Sequence, residues 1–322
     1  MTRNLYLGAD FNMITGAQSP EEIPGRVTQF FMHVQATNYP ERVKALADEI
    51  AETRPHLIGL QEVALYRMQS DSDYLEGVTE PNATDVVLDF LALLESELSA
   101  RELPYRVVNE SVNVDEELPG AVSATEFYDL RLTLRNVILA RANVRQTDSQ
   151  MGIYDAALEI PVGGRLVAFR RSYGWIDAFV AGVPFRFVNT HLETHAAASI
   201  QEEQAGELLD LLEDVDGPVI LVGDVNSAAD GTTTASYSTL TSRFTDAFAS
   251  ANPGEAGYTC CQSADLSNPV STLDWRLDLV LYRGDVDVTS AQRIGEAPED
   301  RTLSGLWPSD HAGVTAGLEL ER

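Results

Sequence analysis

Four short strings frame this chain: LIGLQE ending at Glu62, VNTH ending at His191, LVGDVN ending at Asn226 and PSDH ending at His311, each closing or following an apolar run. A short apolar run stopped by polar residues reads as a buried strand. Its end meets a loop, and such loops are where a rigid scaffold carries catalytic groups. Amphipathic helices lie between the strings. Residues 40–54 place Val43, Leu46, Ala47 and Ile50 on one face behind a proline in the first turn, and residues 84–98 place Val87, Leu91, Leu94 and Leu98 on one face behind a Thr84 cap. Residues 200–212 are a third helix, and 236–249 a further helical stretch. Strands are expected at 56–61, with Glu62 just past the end, and at 105–109, 133–141, 165–169, 175–180, 185–189, 219–222, 277–282 and 313–320. Strands 175–180 and 185–189 are joined by the Ala181-Gly182 turn. Helices interleaved with two groups of strands favour an α/β layered sandwich over a single parallel sheet.

Composition narrows the function. At 322 residues, 44% apolar and 22% charged, the chain has material for a large core and is expected to form one domain over 1–322. No run of eighteen apolar residues occurs, and the opening MTRNLYLGADFN lacks the charged and apolar regions of a signal peptide. The net charge of -28 comes from 50 acidic against 22 basic residues, with Lys44 the sole lysine. Such a surface repels polyanions at long range, so nucleic acid is not favoured as a partner, although a local cation site would still bind one phosphate. The adjacent Cys260 and Cys261 cannot staple distant segments. They are expected to be a pair of small buried side chains.

Metal-assisted hydrolysis needs a cation for developing charge, a base for water and a donor for the leaving oxygen. The strand-end residues Glu62, Asp224, Asn226, His191, Asp310 and His311, with Asn4 in TRNLYLG and Asp278 in WRLDLVLY, supply those chemistries. Oxygen ligands from Asp, Glu and Asn suit Mg²⁺ or Mn²⁺ rather than Zn²⁺. Asp224 and Asn226 either point the same way along an extended backbone or close an Asx-turn. An asparagine in an apolar strand, as at Asn4, needs hydrogen-bond partners. Asp10 is the reserve ligand should Asn4 be misplaced.

In this order, the motifs from Asn4 to His311 resemble those of the endonuclease/exonuclease/phosphatase superfamily, the deoxyribonuclease I-like phosphoester hydrolases. The resemblance implies a four-layer α-β-β-α sandwich of two mixed sheets flanked by helices. It implies that Glu62, Asn4 and Asp310 hold Mg²⁺ or Mn²⁺, that Asp224 and Asn226 orient the nucleophile and bind the scissile phosphate, and that His191 bonds a phosphate oxygen or helps the leaving group. It also implies an Asp278–His311 dyad; either His311 or Asp224 takes the proton of water. Asn136 in LRNVILAR resembles a phosphate-contacting asparagine. The nearby Arg135, Arg170 and Arg171 are expected to be solvated strand arginines.

Metal-dependent hydrolysis of a small or lipid-headgroup phosphodiester is the leading expectation. A nuclease is the first alternative, and a binding protein that has lost catalysis the second; none of the positions that the motifs require is substituted. Residues 10–39, expected to be an inserted helix packing on the core, and 71–84 fall outside the motifs, where loops would write substrate choice. With only three residues before Asn4, secretion is expected if a segment precedes Met1, and the cytoplasm otherwise. A monomer is expected.

Overall fold

The computed structural model describes residues 1–162 and 165–320. The strands are β1 (Thr2–Asn4), β2 (Leu57–Ser70), β3 (Asp85–Asp89), β4 (Tyr105–Ala121), β5 (Phe127–Arg141), β6 (Arg145–Ile153), β7 (Leu158–Val162), β8 (Arg165–Phe169), β9 (Ser172–Val180), β10 (Val183–His191), β11 (Val219–Asp224), β12 (Thr245–Asp246), β13 (Asp278–Arg283), β14 (Val286–Ile294) and β15 (Gly313–Leu320). The α-helices are α1 (Asn12–Thr15), α2 (Ile23–Ala36), α3 (Tyr39–Thr53), α4 (Phe90–Ala100), α5 (Ala198–Leu212), α6 (Ser236–Thr241) and α7 (Ala247–Ala251).

One sheet runs β14-β15-β1-β2-β5-β4 with β3 beside β2, a second runs β12-β13-β11-β10-β9-β6, and β7-β8 form a hairpin. Both large sheets are mixed, because β1 lies parallel to β2 and β10 parallel to β11 while their other pairings are antiparallel. Apolar side chains of both sheets, among them Ile138, Ile176, Phe187, Val222 and Val314, form the layer between them. The outer face of the first sheet is covered by α2, α3 and α4, and that of the second by α5 and α6. This is the four-layer α-β-β-α sandwich expected from the sequence. Among the described residues no helix is long and apolar enough to cross a membrane.

Two features bring the sheets close enough to share a site. Gly59 of β2 faces Val222 and Asn189, where an added Cβ would sit 2.5 Å from the valine side chain and 2.6 Å from the amide oxygen. The buried Asn189 amide then stitches the sheets together: it accepts from Gln61 Nε2 at 2.6 Å and donates to Leu60 O at 3.0 Å and Val137 O at 3.1 Å. A buried amide satisfied at both ends fixes a register that apolar packing alone would leave loose.

Three expected elements are corrected. The strand expected to stop before Glu62 continues to Ser70, with a bulge between Leu60 and Val63 in its pairing with β5. The helix expected over 84–98 begins at Phe90, because Val86 and Leu88 pair with β2 and Asp89, not Thr84, caps it by accepting from Leu91 N and Ala92 N. The stretch 236–249 is broken into α6, the short β12 and α7, with Asp246 capping the second helix. The 10–39 segment folds as expected into helical structure on the core, with Phe30 and Phe31 buried and Met32 exposed. The cysteines depart from the expected buried pair: they are bonded to each other, and Cys260 is buried against Ala228 and Leu277 while Cys261 is only part-buried.

Candidate active site

His191, Asp224 and Asp278 occupy one rung of the second sheet: His191 ends β10, Asp224 ends the parallel β11, and Asp278 opens the antiparallel β13. Directly opposed residues on neighbouring strands project to the same face, so this register alone gathers an imidazole and two carboxylates. The first sheet meets this rung from its corresponding edge. Asn4 ends β1, Glu62 sits on β2 just past the Asn4–Gln61 pair, and His311 stands just before β15, which runs antiparallel to β1. The site therefore lies at the carboxyl ends of the parallel strand pairs, where open α/β sheets leave a crevice for ligands.

Local backbone conformation turns the side chains inward. Glu62 has φ 55° within the bulge, where Gln61 and Glu62 together oppose Asn136. A bulge of this kind re-aims a side chain out of the strand's alternation. Tyr6 and Asn226 also adopt positive φ, at 55° and 50°. Each such residue costs about 1–3 kcal/mol and persists only where its surroundings hold it. Here side chains do so: Tyr6 N donates to Asn4 Oδ1 at 2.9 Å, and Asn226 N donates to Asp224 Oδ1 at 2.9 Å. The latter is the Asx-turn alternative for GDVN.

The side chains form one connected network. Asn4 Nδ2 lies 3.1 Å from Asp224 Oδ2 and 3.3 Å from Glu62 Oε1, while Leu7 N donates to Glu62 Oε2 at 2.8 Å. His311 Nδ1 is 2.7 Å from Asp278 Oδ2, and its Nε2 faces Asp224 Oδ2 at 3.7 Å. His191 Nε2 lies 3.5 Å from the same Asp224 oxygen and 3.1 Å from Asn226 Nδ2. Asn226 also donates to Leu192 O at 3.1 Å, and Gln201 holds the Asn226 carbonyl at 2.9 Å. The loop carrying His311 is clipped to β1 by Ser309, whose hydroxyl donates to Asn4 O at 2.8 Å and accepts from His311 N at 3.2 Å. Arg3, held by Glu49, donates to the His311 carbonyl.

Apart from Glu62 and Asp310, which are part-buried, these acidic, amide and imidazole groups are buried. Burial opposes charge on His311, but Asp278, Asp224 and Asp310 outweigh it and raise its pKa well above the usual histidine value. Burial, with Arg171 and His311 nearby, drives His191 the other way, well below that value and so neutral. Burial raises Asp224 to about 7 against the pull of His311, and burial with Glu62 opposite raises Asp310 to about 6. Two imidazoles in one site thus hold opposite charge states.

Cation chemistry divides the site in two. Glu62 and Asp310 are close enough for the Glu62 charge to raise Asp310, and their carboxylate oxygens fit a hard divalent cation, with Asn4 holding Glu62 through its Nδ2. Asp224, Asp278 and His311 also bring ligand atoms within 4.8 Å of one another, but His311 spends Nδ1 on Asp278, as a proton-transferring imidazole does.

Not every sequence candidate joins the network. Asn136 is opposite the Glu62 bulge, yet its amide is engaged by Asn113 and Ser172: Nδ2 reaches Ser172 Oγ at 3.0 Å, and Oδ1 accepts from Asn113 Nδ2 at 3.2 Å. Asp10 is exposed and caps Asn12 N at 2.8 Å. The arginines depart from expectation. Arg135 is buried and paired with Asp89 at 2.8 Å; only Arg170 is exposed. Arg171 reaches into the site, with NH1 3.1 Å from His191 Nε2 and NH2 2.9 Å from Glu193 Oε1. The sequence names Arg171 only as a solvated strand arginine and does not single out Glu193. The one local signal was a carboxylate two residues past His191 in NTHLE.

The sequence matches the model of the endonuclease/exonuclease/phosphatase family over residues 28–311, and the chain belongs to that family. Its members are phosphoester hydrolases, so this protein is an enzyme of that class. No curated protein is matched. The fold is similar to that of an endonuclease/exonuclease/phosphatase from Bacteroides vulgatus, with a TM-score of 0.59 and 17% identity over 99% of this chain and 97% of that one. It is also similar to a Bacteroides thetaiotaomicron mannosyl-6-phosphatase, with a TM-score of 0.59 and 16% identity over 99% and 98% of the two chains. A truncated TDP2 from Caenorhabditis elegans gives 0.54 and 16% over 94% and 95%.

Proposed function

We propose that the chain, acting as one catalytic domain over 1–322, hydrolyses a small or lipid-headgroup phosphodiester with the help of Mg²⁺ or Mn²⁺. The convergence of His191, His311 and Asn4 on the single oxygen Asp224 Oδ2 carries this reading, because it puts proton-handling groups beside the oxygen-only set. Glu62, Asp310 and Asn4 would hold the cation, which supplies charge neutralisation at the phosphate when bound. Arg171, Asn226 and neutral His191 form the phosphate-facing side, with Glu193 fixing the guanidinium. A water oxygen attacks phosphorus in line with the leaving ester oxygen. Its proton passes to Asp224 as the P–O bond to the leaving group breaks, and the departing oxygen takes up the proton that His311 carries. Asp278 holds the His311 tautomer throughout. For Asn136 to touch the phosphate, its amide would have to release Asn113 or Ser172.

Substrate size follows from charge. Arg171 is the cation within hydrogen-bonding reach of His191 among the described residues, on a chain of net charge -28, so the site is furnished for one phosphate rather than a polyanion. An activity panel with Mg²⁺ or Mn²⁺ against bis-p-nitrophenyl phosphate, choline phospholipids, plasmid DNA and RNA tests this. Turnover of the first two ahead of the nucleic acids is expected. Preferential cleavage of DNA or RNA would move the assignment to a nuclease, and no hydrolysis at all would favour a binding protein on the same fold.

A further inference from the structure

We propose a second cation site, selective for Ca²⁺ over Mg²⁺, built from Asp73, Glu117 and Asp129 at the end of the first sheet remote from the candidate active site. Asp129 of β5 and Glu117 of β4 are near neighbours, since Pro119 pairs with Asp129 and Glu117 with Arg131. Asp73 comes from the segment 71–84 that links β2 to β3. One carboxylate oxygen from each lies within 4.8 Å of the others. Along β5, Asp129 lies about 23 Å from Asn136, from a strand rise of about 3.3 Å per residue.

The hydrogen bonding points to a missing partner. Glu117 is fully buried, and its Oε2 accepts from Asn82 N at 2.9 Å and Ala83 N at 2.7 Å, but its buried Oε1 has no hydrogen-bond partner among the described residues. Asp73 repeats the pattern: Oδ2 accepts from Asn82 Nδ2 at 2.9 Å, and the buried Oδ1 has no hydrogen-bond partner among the described residues. Asp129, also fully buried, accepts from Ser72 Oγ at 2.5 Å, Asp73 N at 2.9 Å and Tyr74 N at 3.2 Å. Native structures rarely leave buried carboxylate oxygens unpaired, and a bound ion is one of the recognised explanations. The nearest arginines, Arg67 and Arg131, feel the Glu117 charge but direct their ion pairs to Asp115. A three-carboxylate, all-oxygen set that takes its remaining ligands from water and loop carbonyls suits the flexible coordination of Ca²⁺, whereas Mg²⁺ demands a near-ideal octahedron. An ion there would fasten the 71–84 segment to β4 and β5.

Limited digestion of the chelator-stripped full chain with a glutamate-specific protease tests this, because Glu76 and Glu80 are exposed in that segment. Ca²⁺ is expected to slow cleavage at these two positions at least tenfold in the wild type and in Glu62→Gln, which alters the other metal site. The protection should be lost in Glu117→Gln and in Asp73→Asn, the latter chosen because Asp73 is only part-buried. Mg²⁺ at the same concentration should protect less. Cleavage indifferent to Ca²⁺ in the wild type would overturn the proposal, as would protection that survives both substitutions or disappears with Glu62→Gln.

Discussion

His311 shows how far a single side chain is determined by its neighbours. Its Nδ1 is bound to Asp278 at 2.7 Å, its backbone is fastened by Ser309 and Arg3, and its Nε2 is the atom left facing Asp224. His311→Ala should lower turnover of bis-p-nitrophenyl phosphate by about a hundredfold or more with the fold intact by circular dichroism, since loss of a positioned acid–base group costs on that order. Asp278→Asn should act in the same direction with a smaller effect, by releasing the tautomer. A rate within a few-fold of wild type for His311→Ala would make His311 a structural residue and leave the proton transfer to Asp224 alone. The polar strand-end residues were legible in the sequence because each breaks an apolar run. Arg171 was not. Its place beside His191 depends on Glu193 from the loop after another strand, and one arginine in a strand meander carries no mark of which way it turns.

Among the elements, the segment from Asp85 to Ala100 shows where periodicity misleads. Val87, Leu91, Leu94 and Leu98 recur at helical spacing, yet the chain adds β3 to the edge of β2 before α4 begins. Helical periodicity cannot register a strand pairing made with residues 17 to 24 positions away. Asp89 marks the switch: one carboxylate oxygen caps α4 and also receives Arg135 NH2 at 2.8 Å. Asp89→Ala should therefore cost about 2–4 kcal/mol in denaturant unfolding, about 1 for the cap and the rest for a buried guanidinium deprived of its partner. A loss of only about 1 kcal/mol, that of the cap alone, would mean that Glu110, 3.7 Å from Arg135, takes over the charge. The bulge at Glu62 was equally hidden, since LIGLQE reads as an uninterrupted strand end; only the pairing with β5 shows two residues opposing one. By contrast β15 spans the expected 313–320, lying between β14 and β1 and antiparallel to both.

At the scale of the whole molecule, charge and chemistry make separable demands. A surface of net charge -28 repels anionic substrates until salt screens it, with a Debye length of about 10 Å at 0.1 M. For a singly charged phosphodiester, kcat/KM should rise as ionic strength increases from about 10 to 150 mM. A steep fall instead would reveal a cationic track for a polyanion, the signature of a nuclease. The central claim is that phosphoester hydrolysis depends on a divalent cation held by Glu62, and its most direct test is the rate of bis-p-nitrophenyl phosphate hydrolysis by chelator-stripped protein before and after Mg²⁺ or Mn²⁺ is returned. The wild type should be inactive when stripped and recover fully, while Glu62→Gln should recover little at the same concentration. Full activity after exhaustive chelation, or equal recovery in Glu62→Gln, would contradict it.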